Sequence, residues 1–432
     1  MKFMSWGMYP KVDNIPLIFK NEQRLKELVR NYRNIIPFGN GRSYGDSALG
    51  ENIVDTKSMN QILDFNEELG LIHIEAGVLL SDILEKCVPS GWFLKITPGT
   101  KLITIGGAIA SDVHGKNHHI EGSFSESIEE FRIMLPKGEI VTCTKKETPD
   151  LWKATCGGMG LTGIILDAKI YLKKINSKFI DQTTIRTNNL KETFEAFEVY
   201  KDLPYSVAWI DCLAKDEKIG RCVLMAGEFK NDENLKYKPK KQIYIPLLYP
   251  EIMMKHWVMR LFNNMYYNAA KKGVSKQTVD IDTFFYPLDV AKEWNRIYGK
   301  AGFVQYQFIF PKNTSYQGLE KILKILSESG KGSFLAVLKL YGAANDNYLS
   351  FPMEGYSLAL DFKIDDGIFD LLDELDKVVL EFKGRIYLTK DARVSKEVFE
   401  KGYPMIEKFR KFREDNQMNT VFQSLQSKRV GI

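Results

Sequence analysis

Long apolar runs are missing from this chain of 432 residues. No stretch approaches the ~18 apolar residues that would read as a membrane-spanning helix. Residues 1–7 also lack the apolar run of a secretory signal. The expectation is therefore a cytoplasmic protein, with any membrane contact peripheral and on the inner face. Cysteine is scarce: Cys87, Cys143, Cys156, Cys212 and Cys222 are the five. Their number is odd and no two form a C-x-x-C pair, which argues against a disulfide framework or zinc ribbon and for a reducing compartment. A strong charge bias is lacking too. The formal net charge of +5 is too small to suggest nucleic acid. Internal repeats and low-complexity segments are absent.

What is present is an ordinary globular composition, 44% hydrophobic and 27% charged. At ~150 residues per domain the length suggests two or three domains, with a core large enough to need no staple. The first 180 residues are rich in glycine and short β-type runs, including a hairpin around Pro136, Lys137 and Gly138. From about residue 174 to 384 helices (190–200, 316–329, 368–382) alternate with strands (206–211, 221–229, 303–310, 333–341, 356–362). After Gly384 a strand over Ile386, Tyr387 and Leu388 leads into terminal helices. Segment 236–272 stands apart. It opens with lysines, continues through Ile243, Tyr244, Ile245, Pro246, Leu247, Leu248, Tyr249 and Pro250, and ends in a helix-like stretch over 253–272 bearing Trp257, Phe262, Tyr266 and Tyr267. Basic plus aromatic plus apolar suits a membrane surface or lipid tail. It suits equally a core or subunit-interface helix behind a solvated loop.

Three glycine-rich loops carry the chemical signal. The first is Pro37, Phe38, Gly39, Asn40, Gly41, Arg42, Ser43, Tyr44, Gly45, Asp46 and Ser47. Such glycines let backbone N–H groups converge on an anion, although a plain turn has the same composition. The third glycine comes one residue late for a dinucleotide turn and no apolar helix follows, so an NAD-type fold is disfavoured. The second loop runs from Pro98, Gly99 and Thr100 through Thr104, Ile105, Gly106, Gly107, Ser111, Asp112, Val113, His114 and Lys116 to His118 and His119. The third holds Gly157, Gly158, Gly160 and Gly163 before Ile164. Together they fit one long phosphate-containing cofactor threaded between two small subdomains. His114-x-x-x-His118 has ligand-like spacing, but Gly115 interrupts a helix and no third ligand is in place, so no metal is expected.

The strings G-R-S-Y-G-D (41–46), P-G-T (98–100), G-G-A-I-A-S-D-V-H-G-K-N-H-H (106–119) and G-G-M-G-L-T-G-I (157–164) resemble the vanillyl-alcohol oxidase / p-cresol methylhydroxylase superfamily. Within it they are similar to the decaprenylphosphoryl-ribose 2-oxidase group. The likeness extends through F-F-Y-P-L-D (284–289), Q-Y-Q-F (305–308) and Y-L-T-K-D (387–391). It implies an α+β chain: a PCMH-type FAD-binding domain of two α/β subdomains, 1–180 completed by 385–432, and a substrate domain, 181–384, on an antiparallel sheet. It implies that residues 37–47 wrap the FAD pyrophosphate. Gly99, Thr100, Thr104, Ile105, Gly106, Gly107, Ser111, Asp112, Val113, His114, Gly160, Ile164 and Tyr387 would line the rest of that cofactor site. Many relatives tether FAD through a histidine in the first loop. This chain has Gly41, Arg42 and Ser43 there, so the flavin is expected to be noncovalent.

The implied reaction is oxidation of a sugar alcohol by hydride transfer to flavin N5. Lys390, Tyr44 and His114 are the catalytic candidates, and Lys339, Gln305, Gln307 and Lys116 would bind substrate. The family precedent is a polyprenyl-phosphate pentose oxidised at C2 to a ketone, which an NAD-dependent short-chain reductase then reduces in a net epimerisation. The alternatives are a soluble aldonolactone, alditol or free sugar, or a non-catalytic FAD-binding component of a lipid-sugar assembly complex. Mycobacterial members carry a cysteine at the position matching Ala359, so thiol-directed inhibitors should fail against this chain. The electron acceptor, whether oxygen, a quinone or a protein, is left open.

Overall fold

The computed structural model describes residues 3–245 and 256–432. Its first lobe holds two sheets. A parallel sheet, in the order β1-β3-β2, joins β1 (Ile15–Leu17), β2 (Ile35–Phe38) and β3 (Asn52–Asp55). The second sheet contains β4 (Ile62–Asn66), β5 (Leu71–Glu75), β6 (Trp92–Leu94), β7 (Ile128–Met134), β8 (Ile140–Cys143) and β9 (Ile164–Lys174). The β7–β8 pair is the hairpin read around Pro136. Helix Glu22–Asn31 starts where Asn21 accepts the Arg24 N–H, and its Leu25, Leu28 and Val29 stripe faces the core.

The second lobe is one eight-stranded sheet, in the order β14-β10-β12-β11-β17-β18-β16-β19. Its strands are β10 (Phe179–Thr187), β11 (Tyr205–Ile210), β12 (Cys222–Phe229), β14 (Gly273–Asp280), β16 (Phe303–Pro311), β17 (Ala336–Tyr341), β18 (Gly355–Lys363) and β19 (Arg385–Ile386). A separate small pair joins β13 (Ile243–Tyr244) to β15 (Ala291–Lys292). Helices Leu190–Val199, Ser315–Ser329 and Ile368–Glu381 bury Phe197, Leu319, Leu323, Leu372 and Leu375 in a shared core with this sheet. The change of sheet falls between Lys174 and Phe179.

Three details depart from the sequence reading. β10 and β14 were not foreseen, because polar residues fill most of their alternating positions. The strand expected over 386–388 shrinks to Arg385 and Ile386 at the sheet edge. Tyr387 then donates its N–H to Gln307 O, and the chain turns through Lys390 N–H to Tyr387 O. Of segment 236–272, residues 246–255 lie outside the described residues, and the helix is His256–Ala269. The terminal helices return to the first lobe, where Ile35 of β2 bridges Phe422, donating its N–H to Val421 O and accepting the Gln423 N–H.

Candidate active site

A cleft of about 790 Å³ runs between the lobes. One wall is the first glycine loop. Gly41 has φ +62°, in the left-handed region that favours glycine. Among the described residues, no protein group accepts the amide N–H of Gly39, Asn40, Gly41, Arg42 or Ser43. Five consecutive unbonded donors in residues that line the cavity can serve as an anion cradle. Arg42 stacks over Trp6 at 3.9 Å, and its buried Nε has no partner. Thr104 caps the short helix Ile105–Ala110 by accepting from Gly107 N–H. This brings Thr104, Gly106 and Gly107 to the same wall.

The cleft is lined by Pro37, Gly39, Asn40, Gly41, Arg42, Ser43, Tyr44 and Ser47, and by Gly99, Thr100, Thr104, Gly106, Gly107, Ser111, Val113, His114, Gly160 and Tyr387. Six residues expected at the cofactor do not line it. Phe38, Ile105 and Ile164 are core side chains. Gly45 sits so close to the 390–391 turn that a Cβ on it would lie 1.7 Å from Asp391 O. Asp46 pairs with Arg429 of the last helix at 2.7 Å, and Arg429 also holds Asp391. That clamp fixes the glycine loop to the turn bearing Lys390. Asp112 is fully buried and accepts from Ser125 N–H, Asn345, Asn347 and Ser350, so it fastens the lobes together.

The opposite wall is one face of the large sheet. Strand alternation puts Gln305 and Gln307 of β16, Ser357 and Ala359 of β18, and Lys339 of β17 on that face, and all of them line the cleft. Lys390 comes from the turn after β19 and lies 3.7 Å over the Tyr44 ring. The ammonium groups of Lys339 and Lys390 have no hydrogen-bond partner among the described residues. Burial lowers the Lys390 pKa to about 7; a nearby Asp361 opposes this and Lys339 adds to it. Burial also lowers Lys339 to about 8. Lys116 is lowered to about 7 by burial and then by Lys339. Its ammonium is held by Phe284 O and the Phe284 ring.

His114 is packed among Tyr341, Phe351 and Tyr387. Its Nε2 lies 3.3 Å from Gln307 Nε2, while its buried Nδ1 has no partner. Burial, then the Lys339 charge, hold it well below the ordinary histidine range, so it is neutral. His114 and His118 are 6.5 Å apart by ring centroid. No cluster that could hold a metal occurs among the described residues.

One charged residue was missed. Asp361 lies two positions beyond Ala359 on the same face of β18 and is buried beneath the cleft. Gln305 donates to its Oδ1, and its Oδ2 is unsatisfied. Burial raises its pKa to about 7. A carboxylate at an inward-facing strand position was the available signal, and it was masked by the surrounding apolar residues.

Amides for a diphosphate, small residues for a flat ring system and a facing set of amines and amides fit a dinucleotide-type redox cofactor. Comparison with known proteins agrees. Residues 17–144 match a family described as an FAD binding domain. The chain is 34% identical to decaprenylphosphoryl-β-D-ribose oxidase of Mycolicibacterium smegmatis, over 99% of this chain and 97% of that protein. It is 28% identical to a putative D-arabinono-1,4-lactone oxidase of Neurospora crassa over 34% of this chain and 26% of that protein. It is 29% identical to L-gulonolactone oxidase of Scyliorhinus torazame over 38% of each chain.

Proposed function

This chain belongs to the FAD-dependent oxidoreductases of the vanillyl-alcohol oxidase / p-cresol methylhydroxylase superfamily, in the family of decaprenylphosphoryl-β-D-ribose oxidase, and on that premise we propose that it oxidises the C2 hydroxyl of a polyprenyl-phosphate-linked pentose to a ketone. The observation that carries the reading is a single cleft joining the five free amides, the Lys390–Tyr44 contact and the Lys339 ammonium. FAD, when bound, supplies the acceptor for the hydride that leaves the carbinol carbon. The amides from Gly39 to Ser43, with Arg42, hold the diphosphate. Lys390, whose pKa lies near neutrality, receives the hydroxyl proton in its neutral form. Gln305 and Gln307 orient the sugar hydroxyls, and Lys339 with Lys116 faces the phosphate. His114, neutral and braced by Tyr341, Phe351 and Tyr387, presents its ring to the cleft beside Gln307.

No helix among the described residues is long and apolar enough to cross a membrane. The basic, aromatic segment 236–272 supports peripheral contact on an inner membrane face, where a lipid-linked sugar would be met. The ketone formed would be consumed by a reductase, which completes an epimerisation. Anaerobic titration of the purified flavoprotein tests the proposal. Polyprenyl-phosphoryl pentoses should bleach the flavin, whereas free pentoses and aldonolactones should do so at least roughly a hundred-fold more slowly. The reverse order would transfer the function to soluble sugars. Acid precipitation should release the yellow colour into solution, since no histidine stands in the first loop to tether it.

A further inference from the structure

The cleft does not end at the lysines. Across the sheet, register pairs Gln307 with Ala359, Ala359 with Val337, Val337 with Trp209 and Trp209 with Val223. The row beside it pairs Lys339 with Ser357, and Val207 with Met225. The same sheet face therefore grades from amide and ammonium groups to aliphatic and aromatic ones within three strand steps. Val207, Trp209, Met225 and Val337 all line the cleft. Helix His256–Ala269 roofs this end: Tyr266 lies 4.6 Å from Trp209 by ring centroid and Phe262 lies 5.2 Å from Phe334. Its next stripe outward, Trp257, Leu261 and Met265, is 58%, 53% and 64% exposed. An apolar stripe this exposed at the mouth of an apolar passage has no use in a fold that needs only its own core.

We infer that this apolar gallery under helix His256–Ala269 seats the first isoprene units of the substrate's tail, with Lys339 marking the phosphate at the point where polar lining gives way to apolar. The inference deepens the polyprenyl-phosphate reading and rests on it. Strands lie ~4.8 Å apart, so the gallery from Ala359 to β12 is about 14 Å long. With C–C bonds of ~1.5 Å, a four-carbon isoprene repeat extends about 5 Å, so about three units fit. The remainder leaves past Trp257, Leu261 and Met265 into lipid.

The test is steady-state kinetics of the holoenzyme with phosphoryl pentoses carrying one, three or ten isoprene units, in fixed detergent. KM should fall roughly ten-fold from one to three units as apolar area is buried, and change little beyond. In the double variant Phe262→Ser/Tyr266→Ser that gain should disappear. Both side chains are at least 40% exposed, so the helix should keep its place, and flavin content verifies it. Met225→Trp should instead fill the gallery from the sheet side and end the gain after one unit. A wild-type KM indifferent to tail length, or the same length dependence in the wild type and both variants, overturns the gallery alone. Bleaching by free pentoses with none by any lipid-linked sugar overturns the underlying reading, and the gallery with it.

Discussion

The glycine-loop wall of the cleft offers main-chain amides from five consecutive residues, whereas the facing wall offers side chains from alternate positions of β16, β18, β17, β11 and β12. The first wall needs tight backbone geometry and tolerates little extra volume. The second needs strand register, and its chemistry is set one side chain at a time. Damage to the first should therefore appear as lost cofactor, and damage to the second as lost turnover with cofactor retained.

Lys390→Ala gives the largest expected effect and the sharpest version of that contrast. Flavin reduction in an anaerobic stopped-flow experiment should slow by about 10³-fold, while flavin content stays that of the wild type, because Lys390 lies outside the amide cradle. A normal rate would remove Lys390 from the proton-transfer role. Gly45→Ala attacks the other wall. Its Cβ would overlap Asp391 O, so the loop and the 390–391 turn must separate. The expected cost is about 2 kcal/mol of stability together with loss of most bound flavin, read by the melting temperature and by absorbance of the purified protein. A variant that retains wild-type flavin would break the division between the walls.

Asp361→Asn probes charge on the side-chain wall. Burial lowers the Lys390 pKa to about 7, and the Asp361 carboxylate partly offsets that by favouring the ammonium. If neutral Lys390 accepts the proton, reduction rises with pH through that value. Asp361 carries its charge only around and above its own raised pKa of about 7, so removing it lowers the Lys390 pKa, the rising limb should move to lower pH, and the variant should outperform the wild type around neutrality, by about twofold. A limb that stays in place would show that Asp361 only positions Gln305.

The same contrast explains what could be read from the sequence. The Arg42 loop, the 98–119 loop and the 157–164 loop are contiguous strings, so their shared cleft could be anticipated. Yet Asp46 and Asp112 sit inside those strings and turn to Arg429 and to Asn345, Asn347 and Ser350, because burying a carboxylate requires partners that only the fold supplies. On the sheet wall, Lys339, Gln305 and Gln307 came from the family likeness. Asp361, Trp209 and Met225 went unnoticed because their shared face depends on pairings between residues up to about 130 positions apart in the chain. β14 escaped because the outermost strand buries none of its side chains, and β10 because several of the side chains it buries, Gln182, Thr183 and Thr187, are polar and so leave no apolar period.

The smallest expected effect concerns how the walls are held together. His118 belongs to the glycine-rich lobe, and its Nδ1 accepts the N–H of Gly342 in the other lobe at 3.2 Å. The ring proton therefore sits on Nε2, which lies 3.3 Å from Ser123 Oγ and donates to it. The ring also packs 4.8 Å from Tyr341. Burial, then His119 and Lys339, lower its pKa to about 3. Because the folded value lies below the unfolded value of ~6.5, the contribution to stability is complete above ~6.5. It is lost as pH falls toward 3, by up to ~1.4 kcal/mol per pH unit. His118→Gln preserves an acceptor for Gly342 but cannot titrate. The unfolding free energy from denaturant titrations should therefore fall less between pH 7 and pH 5 in the variant, by about 2 kcal/mol at most. His114 and His119, also lowered chiefly by burial, keep the remaining acid sensitivity in both proteins. An equal loss in the variant and the wild type would mean that the lobe junction opens before His118 can be protonated, and the two walls would then be independent at acid pH.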